Sequence, residues 1–536
     1  MNIPTNLFMW IMAFLPIIVL LILMIKFQWG ATEAAPIGLL ITIFTGIVFY
    51  KADLALIASQ SAKGVWSALP ILLIIWTAIL MYQVGDEAKA FLVIRNGMRK
   101  LLPNELLLVL AMGWVFESFL QGITGFGVPV AVGAPLLIGI GVKPMWAVII
   151  PLLGQAWGNT FGTLAAGWDS LAMSAGLQAG SGEYLATALW AAAFLWFWDV
   201  VTGAAVCWFY GKGKAVKKGL PAVIVLTLIQ GGGELALTQV NTTLSCFVPS
   251  CISLVVIMLL GRLKMYKEEW SIADSGIMRR DSVEGENDDA PADMTLIQAF
   301  VPYILLSALT LIVLLVKPVN TFLGQFTIGF AFPETVTGYG YVNEAVESYS
   351  PLAPFTHASM FLFIAAIIGI LYYKSHGWIK EGGVKRVFIK SVSMTMPSGI
   401  AVIGLVIMSM IMSGTGQTVV LSDGIAGVLG KAYVVLAPFV GLLGTFMTGS
   451  NMSSNILFGD FQMTTANLLS VNSSAILGAQ TAGGAIGAAV SPSKIILGTT
   501  TAGILGREGE VMKKLLSITV PATILIGAVT FLLICL

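Results

Sequence analysis

The sequence predicts an all-α polytopic membrane protein: about twelve transmembrane helices in two inverted repeats, each with a re-entrant hairpin and a broken helix. Three observations lead there. Of 536 residues, 57% are hydrophobic and only 10% charged, against about 25% charged in a soluble domain. Apolar runs long enough to cross a hydrocarbon core of about 30 Å recur along the chain. Short motifs also recur between the two halves at a nearly constant offset.

The spans follow in order. Residues 7–27 form the first; the run is too long for a cleaved signal peptide and lacks its basic start and small-residue exit. Further runs are 34–50, 65–84, 185–209, 221–238, 246–260, 296–316, 359–373, 391–412 and 515–536. Four regions are interrupted. Residues 106–119 and 128–141 are short arms flanking Leu120-Gln-Gly-Ile-Thr-Gly-Phe-Gly127. Residues 145–157 and 161–175 flank Gly158-Asn-Thr160. In the second half, 433–446 and 455–469 flank Met447-Thr-Gly-Ser-Asn-Met-Ser-Ser454, and 473–487 and 491–505 meet at Ala488-Ala-Val490. Polar, Gly-rich joints survive at membrane depth only when buried in protein or lining a wet cavity, so these read as hairpins and broken helices.

The halves repeat each other. Gly46-Ile-Val-Phe-Tyr-Lys51 matches Gly369-Ile-Leu-Tyr-Tyr-Lys374, Leu69-Pro70 matches Met396-Pro397, and Phe119-Leu-Gln-Gly122 matches Phe446-Met-Thr-Gly449. Gln155-x-x-Gly158-x-x-x-Gly162 recurs as Gln480-x-x-Gly483-x-x-x-Gly487; the four offsets are 323, 327, 327 and 325. Four matches in order argue for duplication. Loops that are basic in one half are poor in cations in the other. Grouping 86–104, 212–218, 374–390 and 506–514 as cytoplasmic places 16 cations inside against 3 outside, which favours inverted repeats with both termini outside. The predicted organisation is a first repeat over 1–211, two inserted helices and a charged linker over 212–295, and a second repeat over 296–536. The linker carries Arg279, Arg280 and an acidic run at 284–289, and segment 317–357 reads as an ordered outer cap.

Composition excludes other classes. A net charge of +1, from 28 cations and 27 acids, removes a basic nucleic-acid binder. Two histidines (His357, His376) and four cysteines (Cys207, Cys246, Cys251, Cys535) lack metal-ligand spacing, so no metal or cofactor is expected. No nucleophile–histidine arrangement can be built from them, so an enzyme is not expected. Gly122-x-x-Gly125-x-Gly127 lacks the strand that precedes a dinucleotide loop.

Chemistry must then come from polar groups inside the spans. Half-helix N-termini attract anions. Gly125 and Gly127 open one arm, and Ser450, Asn451, Ser453, Ser454 and Asn455, all good capping side chains, open the other. Facing each other, they would cradle a small carboxylate; each loop alone is equally well read as plain capping. Thr124 belongs to the first tip, and Gln155, Asn159, Thr160, Gln480 and Thr481 line the broken helices. Glu117 sits in an apolar run, where a carboxylate is costly unless paired, hydrated or protonated; it is a candidate for carrying a proton or, alternatively, a hydrogen-bonded structural acid. Asp460 and Lys494 are expected to pair with each other rather than meet substrate, and Asp169 aligns with Lys494 at the 325 offset. Asp199 reads as a rim charge and Glu234 as the mark of a kink.

These motifs resemble a known family. Phe119-Leu-Gln-Gly-Ile-Thr-Gly-Phe-Gly-Val-Pro-Val-Ala131, Thr448-Gly-Ser-Asn-Met-Ser-Ser-Asn-Ile-Leu-Phe458, and Thr481-Ala-Gly-Gly484 followed by Ser491-Pro492 look like the signature of the bacterial L-lactate permease family, over nearly the whole chain. The resemblance implies uptake of lactate, and often glycolate, with a proton across the bacterial inner membrane, on an ion-transporter-like fold with paired hairpins. The family usually has Glu where this chain has Gln121; here Glu117 stands one helical turn earlier on the same face. Asn is common at the Gln155 position, and uncharged residues at Asp460 and Lys494. The expected function is therefore import of a small monocarboxylate, L-lactate first and D-lactate or glycolate next, by proton symport. Gln121, Asp169, Asp460 and Lys494 join Glu117 as coupling or gating candidates. Na⁺ coupling on the same fold is the alternative within transport, and a non-transporting membrane subunit the alternative outside it.

Overall fold

The computed structural model describes residues 3–27, 29–280 and 290–535; the acidic run 284–289 lies outside the described residues. The chain begins with α1 (Leu7–Ile25), α2 (Ala31–Val48) and α3 (Leu54–Glu87). The Asn6 side chain accepts the Met9 N–H at 2.9 Å, and that of Asp53 the Leu56 N–H at 2.8 Å, as good N-caps do. Helix α3 has 34 residues, so at about 1.5 Å per residue it outreaches the hydrocarbon core. A short amphipathic helix, α4 (Ala90–Leu101), keeps Arg99 and Lys100 in its last turn, where cations complement the helix dipole.

The first hairpin goes in through α5 (Glu105–Leu110), a π-helical turn (Ala111–Val115) and α6 (Phe116–Ile123), and returns through α7 (Val128–Gly139). Next come α8 (Pro144–Gly154), a 3₁₀ turn (Trp157–Asn159) and α9 (Gly162–Ser174), the first broken helix. Helix α10 (Gly182–Thr227) breaks at Lys212, whose φ is +51°, then passes through a second π turn (Leu228–Gly232) into α11 (Gly233–Thr238). That apolar stretch is 57 residues long, about 85 Å as helix and so enough for two crossings. Helix α12 (Phe247–Leu260) and the single-turn α13 (Lys264–Lys267) complete the insert.

The second half repeats the series. After α14 (Leu296–Leu315), opened by a Thr295–Gln298 capping box, and α15 (Lys317–Gly324) come α16 (Ala358–Ser375), α17 (Gly383–Thr415) and α18 (Gln417–Leu429). The second hairpin is α19 (Tyr433–Thr448) and α20 (Asn451–Leu468). The second broken helix is α21 (Ser473–Gly487), a 3₁₀ turn (Ala488–Val490) and α22 (Pro492–Thr501), and α23 (Glu508–Cys535) closes the chain. Thus α2, α3, α4, hairpin, broken helix and α10 are answered by α16, α17, α18, hairpin, broken helix and α23. Eleven helical stretches among the described residues are long and apolar enough to cross a membrane. Counting α10 twice and each broken helix once, and leaving the hairpins aside, gives the expected number of about twelve crossings.

The all-α class holds, and within it segment 317–357, expected as an ordered outer cap, contains β1 (Ile328–Phe332) paired antiparallel with β4 (Val346–Leu352), and β2 (Thr335–Val336) paired with β3 (Val342–Asn343). Two sequence expectations need correction. Helices α4 and α18 fall in segments read as loops. The second hairpin turns earlier than expected, so α20 starts at Asn451 rather than near Asn455.

Two packing groups position the site. In the first, α3 and α17 lie together, with Gly64 so close to Ile407 that a Cβ there would come within 2.8 Å of its backbone. Close approach over small residues is how membrane helices gain packing without a hydrophobic drive. One end of this pair is tied by Arg386 to Glu87 at 2.6 Å. The other is tied by the β-segment: Trp66 Nε1 donates to the Tyr349 and Ser350 carbonyls, both at 3.1 Å, and Asn343 Nδ2 donates to Gly414 O at 2.9 Å. In the second group, α19 and α21 touch backbone to backbone. A methyl on Gly441 would overlap the Gln480 carbonyl, and one on Gly483 the Pro438 carbonyl.

Gly441→Val should therefore destabilise the protein by more than about 2 kcal/mol, since neither neighbour is a movable side-chain tip. Gly427→Ala, on an open face of α18, should be neutral or stabilising by up to about 1 kcal/mol. Thermal unfolding of the detergent-purified variants checks both; equal melting temperatures would contradict the packing argument.

Candidate functional site

Both hairpin tips and both helix breaks converge on one recess. At the first tip Thr124 is extended, and Phe126 and Gly127 have φ of +56° and +84° before α7 begins. At the second, Gly449 has φ +77°, and extended Ser450 caps α20 by accepting the Ser453 N–H at 3.4 Å. The first broken helix unwinds further than its 3₁₀ turn: Thr163, Leu164 and Ala165 have φ of +51°, +51° and +70°. Left-handed backbone at three non-glycine residues costs energy and is held only where surroundings enforce it. The second broken helix restarts at Ser491-Pro492, with Pro at N1, where its missing N–H is harmless. Three half-helix N-termini, those of α7, α20 and α22, thus meet near one point.

A hydrogen-bonded knot fixes this convergence. The Thr160 and Thr481 hydroxyls, one from each broken helix, lie 3.0 Å apart. Asn451 Nδ2 donates to Thr160 Oγ1 at 3.0 Å and to Thr481 Oγ1 at 3.3 Å. Asn455 Nδ2 donates to Thr481 Oγ1 at 2.8 Å and to the Gly167 carbonyl at 3.0 Å. A second chain runs from Tyr433 to Gln462 Oε1 (2.5 Å), from Gln462 Nε2 to Gln480 Oε1 (2.8 Å), and from Gln480 Nε2 to Ser454 Oγ (3.2 Å). Ser454 donates on to the Gly441 carbonyl at 2.9 Å. All these side chains are buried.

The recess itself, about 30 Å³, is lined by Gln121, Gly125, Asn159, Thr163, Asn451 and Lys494, room for about one water molecule. Phe126, Gly449, Ser450, Met452 and Lys494 also line a larger vestibule of about 510 Å³, which reaches Thr32 on α2, Pro397 on α17 and Ser453 on α20. The vestibule therefore lies between the hairpin group and the α3–α17 group, which Thr32 Oγ1 joins by donating to Pro397 O at 3.0 Å.

The expected Asp460–Lys494 pair does not form. Lys494 Nζ donates to Asn159 Oδ1 at 3.3 Å, and Asn159 Nδ2 donates back to the Gln155 carbonyl at 3.2 Å. Asp460 instead meets the hydroxyls of Ser413, Thr418 and Thr464. It belongs to the contact between α20 and the α17–α18 corner. Asp169 faces Tyr184 and does not line the recess. Glu117 is fully buried between α6 and α7, with its head against Gly133. Gln155 and Thr124 are also buried. Among the described residues both carboxyl oxygens of Glu117, both ends of the Gln155 amide and the Thr124 hydroxyl have no partner. Asp199, read as a rim charge, is buried and accepts the Trp114 indole N–H at 2.9 Å.

The sequence reading missed Phe126, Thr163, Met452 and Ser493. Phe126 stood in view between two tip glycines, and Ser493 follows the Ser-Pro restart. Nothing in Thr163 itself announces a left-handed turn.

Comparison with known proteins places these features in a lineage. The sequence profile of the L-lactate permease family matches residues 9–536. The glycolate permease of Escherichia coli is 27% identical over 555 residues, covering 97% of this chain and 95% of that protein. The L-lactate permease of Halalkalibacterium halodurans is 25% identical over 526 residues, covering 97% and 96%. The L-lactate permease of Escherichia coli is 26% identical over 555 residues, covering 97% and 95%.

The knot is testable without a transport assay. Thr481→Val removes the oxygen that accepts both Asn451 and Asn455, leaving buried amides short of partners, at a cost of about 2–4 kcal/mol. Thr481→Ser should restore most of it. Unfolding midpoints of the two variants give the comparison, and a valine variant as stable as the serine one would refute the role of the hydroxyl.

Proposed function

Because the chain belongs to the L-lactate permease family, a family of membrane transporters rather than enzymes, we propose that it imports a small monocarboxylate, L-lactate or glycolate, by proton symport. The relatives named for L-lactate and glycolate support the substrate class. The observation that carries the reading is Lys494. Among the described residues it is the one cation lining the recess, and it stands where the N-termini of α20 and α22 also favour negative charge. The substrate carboxylate binds Lys494 and the first N–H groups of α20, and Ser450 and Asn159 receive its hydroxyl. At about 30 Å³ the recess is too small for a three-carbon acid, so the anion seats at its mouth, on the residues shared with the vestibule. Alternating access follows when the hairpin group moves against the α3–α17 group and the vestibule closes on one side and opens on the other.

Glu117 carries the proton. A carboxyl group with no partner in an apolar shell is far less costly neutral than ionised. It lies one turn from Gln121, which lines the recess, so separation of the two arms of the hairpin would hydrate it.

Two outcomes follow. Lys494→Met should lower apparent lactate affinity by about tenfold to a hundredfold, the value of a charge-assisted bond, measured as competition against radiolabelled lactate in proteoliposomes; unchanged affinity would remove Lys494 from the site. Glu117→Gln should abolish accumulation driven by a pH gradient yet preserve exchange of internal for external lactate. Uphill uptake by that variant, or uptake by the native protein driven by Na⁺ at zero pH gradient, would overturn the proton assignment.

A further inference from the structure

A second cleft, far from the hairpin tips, opens where α10 breaks. Gly211 is extended and Lys212 left-handed, so the chain leaves one long helical arm and starts another within two residues. The cleft has a volume of about 730 Å³ and is lined by Trp146, Trp208, Tyr210, Lys212, Lys214 and Ile272 among others. We propose that this cleft binds the phosphate headgroup of an acidic phospholipid of the surrounding membrane.

Its walls are built rather than incidental. Trp146 and Phe209 pack at 4.6 Å, and the Lys514 ammonium sits 5.2 Å from the Trp146 ring, bringing a cation from α23 to the rim. The linker closes the floor: Ser275 donates to the Tyr210 carbonyl at 2.7 Å, and the Tyr210 hydroxyl accepts the Ile272 N–H at 3.3 Å. The same hydroxyl donates to Glu105 at 2.5 Å, and Arg280 holds Glu105 from the other side at 2.8 Å.

Charge and depth both select the ligand. Among the described residues Asp274 is the single acid on the lining, and neither Lys212 nor Lys214 forms an ion pair. The second arm of α10 also begins here, and the first N–H groups of a helix lack intrahelical partners and favour anions. Tryptophan at the end of an apolar run marks the headgroup level of a bilayer, and Trp208 is 55% exposed there. Apolar side chains continue outward along the second arm from that level: Leu220 and Ile224 are 48% and 49% exposed. A free phosphate would use only the lysines and the N–H groups that open the second arm. A phospholipid would use the lysines, the aromatic rim and that apolar face together, so the lipid is the occupant the whole surface fits. Each basic side chain near an anionic headgroup contributes roughly a fivefold gain in binding.

Native mass spectrometry of the full chain, delipidated and titrated with phosphatidylglycerol or phosphatidylcholine, tests this. The native protein should retain one phosphatidylglycerol per chain in preference to phosphatidylcholine. The triple variant Lys212→Gln/Lys214→Gln/Lys514→Gln should lose that binding by at least about tenfold. The Lys380→Gln/Lys385→Gln control should keep it. Should the triple variant fold poorly by circular dichroism, Lys212→Arg/Lys214→Arg replaces it and should bind as the native protein does. Equal phosphatidylglycerol occupancy in the native and triple-glutamine proteins, loss of binding in the arginine variant, or displacement by millimolar inorganic phosphate would overturn the proposal.

Discussion

Two threonine hydroxyls hold the centre of this protein, because they tie one broken helix to the other. Inside a bilayer an interrupted helix leaves N–H and C=O groups with no water to take them. Both hairpin tips and the first break line one recess, and the two broken helices are joined through Thr160 and Thr481, 3.0 Å apart. Asn451 and Asn455 extend the join to the second hairpin, and Asn455 also takes up the Gly167 carbonyl just beyond the left-handed stretch. The strain at Thr163, Leu164 and Ala165 is thus enforced by bonds on either side of it. The join thus fixes the second hairpin against both broken helices, and the recess lies beside it.

The rest of the chain serves as a frame against which this unit sits. Helices α3 and α17 are clamped at one end by Glu87 and Arg386, and at the other by strands that seize Trp66 and Gly414. The clamp explains segment 317–357. The Lys63 ammonium, on α3, lies 5.4 and 5.5 Å from the rings of Tyr349 and Phe332, a cation–π cage that holds the strands on the helix end. Both clamps lie within the frame. The vestibule, by contrast, is bounded by frame on one side and hairpin tips on the other, and Thr32–Pro397 is a bond within the frame at its edge. Rigid on one side and polar-seamed on the other, the geometry suits movement of one body past the other.

Much of this was legible because membrane sequences say little else. Spans, hairpins and breaks announce themselves when polar, Gly-rich residues interrupt apolar runs, and the tips at Gly125–Gly127 and Gly449–Ser450 fall where those interruptions do. What escaped has physical reasons. Helices α4 and α18 are short and half-polar, so hydropathy hides them. The strands are brief and rest on aromatic contacts rather than on alternation. The Asp460–Lys494 pairing failed on distance. Asp460 lies nine residues along α20 from Asn451, about 13 Å of helix, whereas Lys494 lies in the first turn of α22, level with the tips. Both charges were read as needing a partner, and each had one, but Asp460 found hydroxyls and Lys494 an amide. Asp169, aligned with Lys494 in the sequence, lies instead beside Tyr184, a contact that no offset between the halves could indicate.

That Lys494 bonds to a neutral amide rather than to a carboxylate has a consequence for the transport cycle proposed above. A buried cation without an acid partner is expensive, and an incoming carboxylate offsets that cost directly. In that cycle Lys494 and a lactate anion together would carry no net charge, and a protonated Glu117 would add none, so these three groups would cross the low-dielectric region balanced. With substrate gone, the unit would have to move with Lys494 uncompensated or with Glu117 ionised to balance it. An ionised Glu117 balances Lys494 only if its proton has left. In the proposed cycle, release of substrate and release of the proton would thereby be linked through one electrostatic requirement, without any contact between the two groups. A Glu one turn from the recess, rather than in it, would then suffice, since the coupling would depend on the balance of charge with Lys494 and not on a bond from Glu117 to the substrate.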